Sequence, residues 1–196
     1  MEMSIKPYLN IIEQLRSSIS KNEPLIVAID GRSASGKTTC ADVIVNELDG
    51  FVIHMDDFFL PMKERLSNWQ KQIAGNIHIS KITQDILKPI TMGKTFTFKP
   101  YNCQMSKYDA TIVIPKKSLY IIEGSYSMHP DLQIFYHHSI FLTISPETQE
   151  QRIIRRNGKK DFENFQKKWI PMEELYIKKL AIHNHCDFIL DTTNLF

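Results

Sequence analysis

Two patterns of apolar residues run along the chain, and each predicts a different kind of element. At Ile5, Leu9, Ile12, Leu15 and Ile19 the spacing is three to four residues, which is typical of one face of an amphipathic helix. Short runs that are apolar at nearly every position occur at 25–29, 51–55, 111–114, 119–122, 140–144 and 188–190. Such runs predict strands that are buried on both faces, as in a parallel sheet.

Helices are predicted between these strands. One follows the glycine-bounded segment 31–38 and ends near Asp49-Gly50. Another begins at Ser145-Pro146, with serine as N-cap and proline in the first turn, and ends at Asn157-Gly158. A third is expected around 80–88, ending near Pro89, and a last helical region around 161–183, interrupted at Pro171.

Strands that alternate with helices predict an α/β fold with a central, mostly parallel sheet and helices on both faces. We expect one domain over residues 1–196, in which 61–115 form an insertion over one edge of the sheet. The length, 196 residues, is sufficient for a substantial apolar core, and the 42% hydrophobic and 23% charged shares argue against disorder.

Charge and cysteine content exclude several classes of protein. A net charge of +2 does not by itself indicate a nucleic-acid or membrane partner, and no apolar run is long enough to span a bilayer. We see no secretion signal at the N-terminus. Cys40, Cys103 and Cys186 are odd in number and widely spaced, which predicts neither a disulfide framework nor a metal site. A reducing, cytoplasmic location is expected.

The strongest chemical signal is GRSASGKT at 31–38, which fits the phosphate-binding pattern G-x-x-x-x-G-K-[ST]. Gly31 and Gly36 allow the tight turn that brings backbone N–H groups onto phosphate oxygens. Lys37 supplies a positive charge for the β- and γ-phosphates, and the Thr38 hydroxyl is a hard ligand for Mg²⁺. The predicted nucleotide-binding residues are Gly31, Arg32, Ser33, Ala34, Ser35, Gly36, Lys37, Thr38 and Thr39.

Carboxylates follow two of the predicted strands. Asp56 and Asp57 come after 51–55, and Glu123 closes 119–122. In an open parallel sheet, ligands bind at the carboxyl ends of the strands, so Glu123 is predicted to hold Mg²⁺ or a water bound to it. The alternative for Glu123 is an ordinary acid that pairs with a surface lysine.

Arg152, Arg155 and Arg156 lie on one face of the helix that begins at Ser145-Pro146. One guanidinium group can bind two phosphate oxygens at once. This helix face therefore predicts a lid, at about 150–162, that closes on the transferring phosphoryl group. A solvated helix face and a nucleic-acid patch are the alternatives.

The segments VAIDGRSASGKTT, IHMDDFFLP, YIIEGSYSMHP and RIIRRNG occur in the order found in uridine kinases and phosphoribulokinases. The chain resembles this group of P-loop kinases from about residue 24 to residue 191. The resemblance implies the three-layer P-loop NTPase fold and catalysis by Lys37 and the three lid arginines. It also makes Asp56 the base that accepts the proton of the acceptor hydroxyl. We predict Thr38, Glu123 and Asp56 as the magnesium site.

The acceptor-binding residues are less well defined by the resemblance. Asp56 and Phe58 are predicted on this side of the site, and Tyr101 matches a tyrosine of the family's nucleoside pocket. Where the family contacts the ribose, this chain has GNIHIS at 75–80, which makes His78 a candidate contact or a solvated histidine. Phe58, Phe59 and Trp69 are either stacking or core residues.

These observations predict a kinase that moves the γ-phosphoryl group of ATP, with Mg²⁺, to uridine or cytidine. Other nucleosides, sugars or pantothenate-like alcohols remain open as acceptors, as does a regulatory nucleotide-binding protein. We predict no nucleic-acid or membrane partner, and leave open the oligomeric state and the ATP or GTP preference. Asp57 is expected to cap backbone N–H groups or to hold the inserted region, rather than to take part in the chemistry.

Overall fold

A parallel sheet forms the centre of the fold, as the continuously apolar runs predict. The computed structural model describes residues 5–195. Within them the strands are β1 (Leu25–Gly31), β2 (Phe51–His54), β3 (Phe96–Phe98), β4 (Tyr101–Asn102), β5 (Lys107–Tyr108), β6 (Ile112–Ile114), β7 (Leu119–Glu123), β8 (His138–Thr143) and β9 (Phe188–Asp191). The central sheet has the order β2-β7-β1-β8-β9, and all its neighbouring strands are parallel.

Helices cover both faces of this sheet. They are α1 (Leu9–Ser18), α2 (Lys37–Leu48), α3 (Ile79–Ile82), α4 (Lys88–Thr91), α5 (Pro130–Gln133), α6 (Pro146–Asn157), α7 (Lys159–Asn164) and α8 (Ile170–Lys179). Alternate residues of β1 enter two separate apolar clusters, because successive side chains of a strand point to opposite faces. One cluster packs against α1 and α2, and the other against α3, α4 and α8. The predicted three-layer arrangement, a parallel sheet between two layers of helices, is therefore confirmed.

The predicted caps of α6 are present. The Ser145 hydroxyl oxygen accepts the N–H of Thr148 at 3.2 Å, and Pro146 begins the helix. Gly158 follows the last residue with φ +88°, a conformation that glycine adopts without a steric penalty. These local signals determine where the arginine-bearing helix begins and ends.

Both predictions about prolines were wrong in detail. The helix around 80–88 does not end near Pro89, because a wider π-helical turn at Thr83–Leu87 lets it continue to Thr91. A second π turn at Phe165–Trp169 joins α7 to α8, so the interruption precedes Pro171 rather than falling on it. Proline lacks an N–H and crowds the preceding turn, and an i→i−5 turn just upstream accommodates it.

Residues 61–115 contribute no strand to the central sheet. Strand β6, predicted at 111–114, pairs antiparallel with β3, and β4 pairs with β5 in a two-residue ladder. An isolated antiparallel bridge joins Ile77 of this segment to Phe59, which lies five residues after the end of β2. These small ladders lie between β2 and β7 in the chain. The division into one domain with an insertion remains a prediction.

Strand β2 ends one residue earlier than predicted, at His54, and Met55–Phe58 form a 3₁₀ turn. Asp56 and Asp57 therefore do not continue the strand. The carboxyl ends of β1, β2 and β7 are neighbours, because β7 lies between the other two strands. The phosphate loop, the paired aspartates and Glu123 consequently meet at one edge of the sheet.

Among residues 5–195, no helix combines the length and the apolar character needed to cross a bilayer. Cys40, Cys103 and Cys186 carry free thiols.

Candidate active site

The phosphate loop joins β1, which is buried along its whole length, to α2. Its two glycines are needed for different reasons. A Cβ atom on Gly31 would lie 2.1 Å from the carbonyl oxygen of Leu142 in the neighbouring strand. Gly36 caps α2 in the left-handed conformation, with φ +91°. The N-terminus of a twelve-residue helix therefore faces the loop, as a phosphate site requires.

A cavity of about 640 Å³, which we call the first cavity, opens over this loop. Its lining comes from the loop, from α2 and from α6: Ala34, Gly36, Lys37, Thr38, Thr39, Arg152, Arg155 and Arg156. The Lys37 ammonium donates to the carbonyl oxygens of Gly31 and Arg32, at 2.9 and 3.0 Å. The structure thus brings all three predicted arginines to the phosphate loop, which lies more than 110 residues earlier in the chain.

The three arginines differ in their contacts. Arg152 donates to the carbonyl oxygens of Ala34 at 3.4 Å and Thr192 at 2.5 Å, and burial lowers its pKa. Arg156 donates to the Asn157 side chain at 2.7 Å and lies 5.9 Å from the Phe165 ring centroid. Arg155 is exposed at the cavity. Arg152 therefore also has a structural role, since it joins the helix to the loop and to the C-terminal segment.

Glu123 faces the start of α2 rather than the solvent. It is 5% exposed, and its Oε1 accepts the Thr38 hydroxyl at 3.2 Å. The Nδ1 of His54 lies 2.5 Å from the same oxygen, and this hydrogen bond raises the pKa of His54. In the described part of the chain, Glu123 forms no ion pair with a lysine or arginine. Pairing with a surface lysine is therefore not its role.

The oxygen atoms at this position suit Mg²⁺. Mg²⁺ prefers hard oxygen ligands and usually takes one or two from the protein and the rest from water and phosphates. The Thr38 hydroxyl and the Glu123 carboxylate provide such a pair. Residues 5–195 contain no group of three His, Cys, Asp or Glu side chains that could enclose a metal ion by themselves.

Asp56 lines a second cavity of about 490 Å³. This second cavity is bounded by Ser33, Ala34, Lys37, Thr38, Asp56, Phe59, Asn76, Ile77, Cys103, Gln104, Glu123, Gly124, Ser125, Tyr126, Arg156, Phe165, Trp169 and Glu173. Asp56 is exposed at the cavity, but the protein atoms around its carboxylate displace part of the water and raise its pKa, and the Lys37 charge opposes that rise. Asp57 is outside the lining and receives no hydrogen bond within the described chain, so the expected capping role is wrong.

Three predicted acceptor residues line neither cavity. Phe58 is 2% exposed and stacks on Phe98, with ring centroids 5.1 Å apart. Tyr101 packs edge-on against Tyr108 at 5.3 Å. His78 precedes α3, where its Nδ1 lies 3.1 Å from the Ser80 hydroxyl. The assignment of Tyr101 and His78 to the acceptor rests on the resemblance alone, and Phe58 takes the core position that was its alternative.

The residue of the GNIHIS stretch that does line the second cavity is Asn76. It is 2% exposed, and its amide oxygen has no hydrogen-bond partner in residues 5–195. The backbone carbonyl of Asn76 accepts the N–H of Leu60 at 2.8 Å, which holds the backbone in place. A buried acceptor without a partner costs about 1–3 kcal/mol unless a ligand or water satisfies it. Sequence reasoning missed Asn76 because an isolated asparagine carries no periodic signal.

Trp169, Phe165 and Glu173 also reach the second cavity, and none of them was predicted to do so. All three follow the arginine-bearing helix, and the π turn at Phe165–Trp169 turns both aromatic rings toward the cavity. Trp69 packs against Trp169, with ring centroids 6.1 Å apart, and does not line the cavity. Among the candidates Phe58, Phe59 and Trp69, only Phe59 contacts the cavity.

A buried aspartate near the end of β1 forms hydrogen bonds that support the phosphate loop. Asp30 is 1% exposed, and its carboxylate accepts the N–H groups of Gly31 at 2.7 Å and Met128 at 2.9 Å. It also accepts the Tyr176 hydroxyl at 2.6 Å. Burial raises the pKa of Asp30 to about 6, although these three hydrogen bonds act in the opposite direction.

Comparison with known proteins agrees with this geometry. No family model matches the chain. The uridine kinase of Mycoplasma pneumoniae is 27% identical, with 80% of each chain covered.

Solved structures show the same fold. A possible uridine kinase from Bacillus stearothermophilus has a TM-score of 0.69 at 19% identity, covering 93% of this chain and 98% of that one. A "putative fructose transport system kinase" from Silicibacter sp. TM1040 has a TM-score of 0.68 at 17% identity, covering 95% and 98%. The chain therefore has the fold of the P-loop kinases, and its predicted resemblance to the uridine kinase group is confirmed.

Proposed function

We propose that the protein transfers the γ-phosphoryl group of ATP to a hydroxyl of a small molecule, the 5′-hydroxyl of uridine or cytidine. The observation that carries this proposal is the contact between the two cavities. Ala34, Lys37, Thr38 and Arg156 line both of them. A nucleotide over the phosphate loop and an acceptor in the second cavity would meet at these side chains, so transfer between them needs no intermediate carrier.

The first cavity is the proposed donor side. Backbone N–H groups of the loop and of the α2 N-terminus would hold the phosphates, and Lys37 would neutralise their charge. Arg155 and Arg156 would stabilise the charge that spreads over the transferring phosphoryl group. The arginines face the loop cavity, which favours the lid over a solvated face or a nucleic-acid patch.

Thr38 and Glu123 are the proposed protein ligands of Mg²⁺, which when bound supplies charge stabilisation to the phosphates. Asp56 is a further proposed ligand of this ion, because it lines the second cavity together with Glu123. The His54 imidazole orients the Glu123 carboxylate through the bond at 2.5 Å.

The second cavity is the proposed acceptor side. Asp56 would accept the proton of the attacking hydroxyl, and its raised pKa makes its carboxylate a stronger base than an aspartate of ordinary pKa. Asn76 would accept a hydrogen bond from a second donor group of the acceptor. Phe59 and Trp169 give the cavity an apolar wall that excludes water, so hydrolysis of ATP would be suppressed.

The test is a panel of nucleosides, sugars and small alcohols incubated with the protein, ATP and Mg²⁺. ADP release and the mass of the product are measured for each compound. We expect uridine and cytidine to accelerate ADP release and to gain the mass of one phosphoryl group. If no compound accelerates ADP release, the kinase proposal is wrong and a regulatory nucleotide-binding protein is the better description.

A sugar or another alcohol is the second candidate acceptor. Asn76 stands at the cavity wall in the stretch where the uridine kinase resemblance is weakest, and a neutral amide can bind the hydroxyl of a sugar as well as that of a ribose. The solved structure of the "putative fructose transport system kinase" is nearly as similar in fold as the possible uridine kinase. Phosphorylation of a free sugar and not of uridine in the same panel would identify this candidate.

A further inference from the structure

Glu173 is a buried carboxylate that has no role in the mechanism above. It lies on α8 and is 6% exposed. Its Oε2 accepts the backbone N–H of Ser33 at 2.9 Å, and its Oε1 accepts the hydroxyls of Ser33 and Ser125, each at 2.6 Å. Short hydrogen bonds to a carboxylate are among the stronger ones in proteins.

The position has an energetic cost that packing alone does not explain. In residues 5–195, no lysine, arginine or histidine forms an ion pair with Glu173. A buried carboxylate without a cation is unfavourable even when neutral donors surround it, and an apolar residue of similar volume would avoid this cost. Local costs of this kind are expected at functional sites.

The three hydrogen bonds of Glu173 join separate parts of the proposed site. Ser33 belongs to the phosphate loop, and Ser125 follows Glu123 in the segment that leaves β7. Trp169 precedes Glu173 by four residues, and both side chains line the second cavity. One carboxylate therefore connects the loop that would hold ATP, the segment beside the proposed magnesium ligand and the wall of the acceptor cavity.

We infer that Glu173 is a positioning residue for phosphoryl transfer, which holds Ser33 and Ser125 in fixed positions beside the acceptor cavity. This inference rests on the proposed function. Glu173 touches neither the phosphates nor the acceptor hydroxyl in this role, and acts through the two serines. Displacement of reacting groups by about 1 Å can cost a hundredfold in rate, so loss of these bonds should lower kcat.

The test compares a substitution of Glu173 that can keep its hydrogen bonds with one that removes them. Glu173→Gln can still accept the Ser33 N–H through its amide oxygen, while its NH₂ group donates to the two hydroxyls after they rotate. Glu173→Ala removes all three bonds. We expect Glu173→Ala to lose at least about tenfold in kcat with a smaller change in the KM for ATP, and Glu173→Gln to retain kcat within about threefold. Amide exchange of the loop 31–36 should rise only in the alanine variant.

Glu174→Ala is the matched control. It removes the next carboxylate of the same helix, which bonds the Arg32 side chain at 2.7 Å and does not line the second cavity. Its kcat should stay within about threefold of the unsubstituted protein. If Glu173→Ala does not fold, Ser125→Ala provides the measurement, since it removes one of the three donors and should give a smaller loss of kcat.

Two results would overturn the inference. In one, Glu173→Ala exchanges its loop amides faster but keeps the kcat of the unsubstituted protein, so that Glu173 only stabilises the fold. In the other, kcat falls while loop exchange is unchanged, so that Glu173 does not act through Ser33. Absence of acceptor-dependent ADP release in the unsubstituted protein would instead refute the proposed function. Loop exchange and ADP affinity of the variants would then still decide whether Glu173 holds the loop.

Discussion

Asp56→Asn tests the proposed chemistry most directly. Asparagine has nearly the same size, and the Asp56 carboxylate makes no hydrogen bond within residues 5–195, so the free energy of unfolding should change by less than about 0.5 kcal/mol. An amide cannot accept the proton of the acceptor hydroxyl. We therefore expect kcat to fall by about 10² to 10⁴. At 1.36 kcal/mol for each factor of ten, this loss is about 2.7 to 5.4 kcal/mol of transition-state stabilisation.

Asp57→Asn is its matched control. It makes the same chemical change one residue later in the same 3₁₀ turn, but Asp57 lies outside the second cavity. Burial raises the pKa of Asp57, so its ionised form is disfavoured and a neutral amide should not destabilise the fold. We expect kcat within about threefold of the unsubstituted protein and an unchanged or slightly higher melting temperature.

The assay is steady-state ADP release at saturating acceptor, with thermal melting and calorimetric titration of ADP on the same samples. ADP affinity and melting should be unchanged in Asp56→Asn, so that the loss is confined to kcat. The reasoning is refuted if Asp56→Asn keeps more than about a tenth of kcat, or if Asp57→Asn shows the larger loss. The second outcome would assign the base to Asp57.

Four further predictions concern other parts of the site. Lys37→Ala should abolish transfer and weaken ATP binding in calorimetry while the circular dichroism spectrum is unchanged, because within residues 5–195 the hydrogen bonds of the ammonium go to two carbonyls of its own loop. Arg155→Ala should lower kcat more than it raises the KM for ATP without changing the melting temperature, whereas Arg152→Ala should also lower the melting temperature, because Arg152 joins three chain segments. Asn76→Ala should raise the KM for the acceptor by about two- to tenfold and leave that for ATP unchanged, which would exclude a purely structural role. The pKa of Asp30 is raised from 3.8 to about 6, so its protonated form stabilises the fold below pH 3.8 and this contribution, at most about 3 kcal/mol, is lost as the pH rises through 6. Asp30→Asn should therefore remove that pH dependence in denaturant melts, and an unchanged pH profile would contradict the prediction.

Local sequence signals were sufficient for the regular elements that surround the site. Strand β1 and the loop after it could be predicted because a buried strand is apolar at nearly every position and a phosphate loop needs glycine at two. The start of α6 was equally clear, since Ser145 caps it through its own side chain. Order along the chain then placed Asp56 and Glu123 at strand ends on the same sheet edge, where the structure brings them together.

Only the tertiary structure decided which side chains complete the cavities. Asn76 and Trp169 are 93 residues apart in sequence numbering and line the same cavity, while Phe58 turns into the core although its neighbour Phe59 faces the cavity. No periodic pattern distinguishes such residues, because their direction depends on the 3₁₀ and π turns that carry them. The π turn before Pro171 is held by contacts with residues far away in the chain, since Trp169 packs against Phe59 and Trp69. The energy that stabilises such turns comes from contacts between residues that are distant in sequence. The pattern of residues along the chain therefore predicts the strands and helices around the site, but not the side chains that line its acceptor cavity.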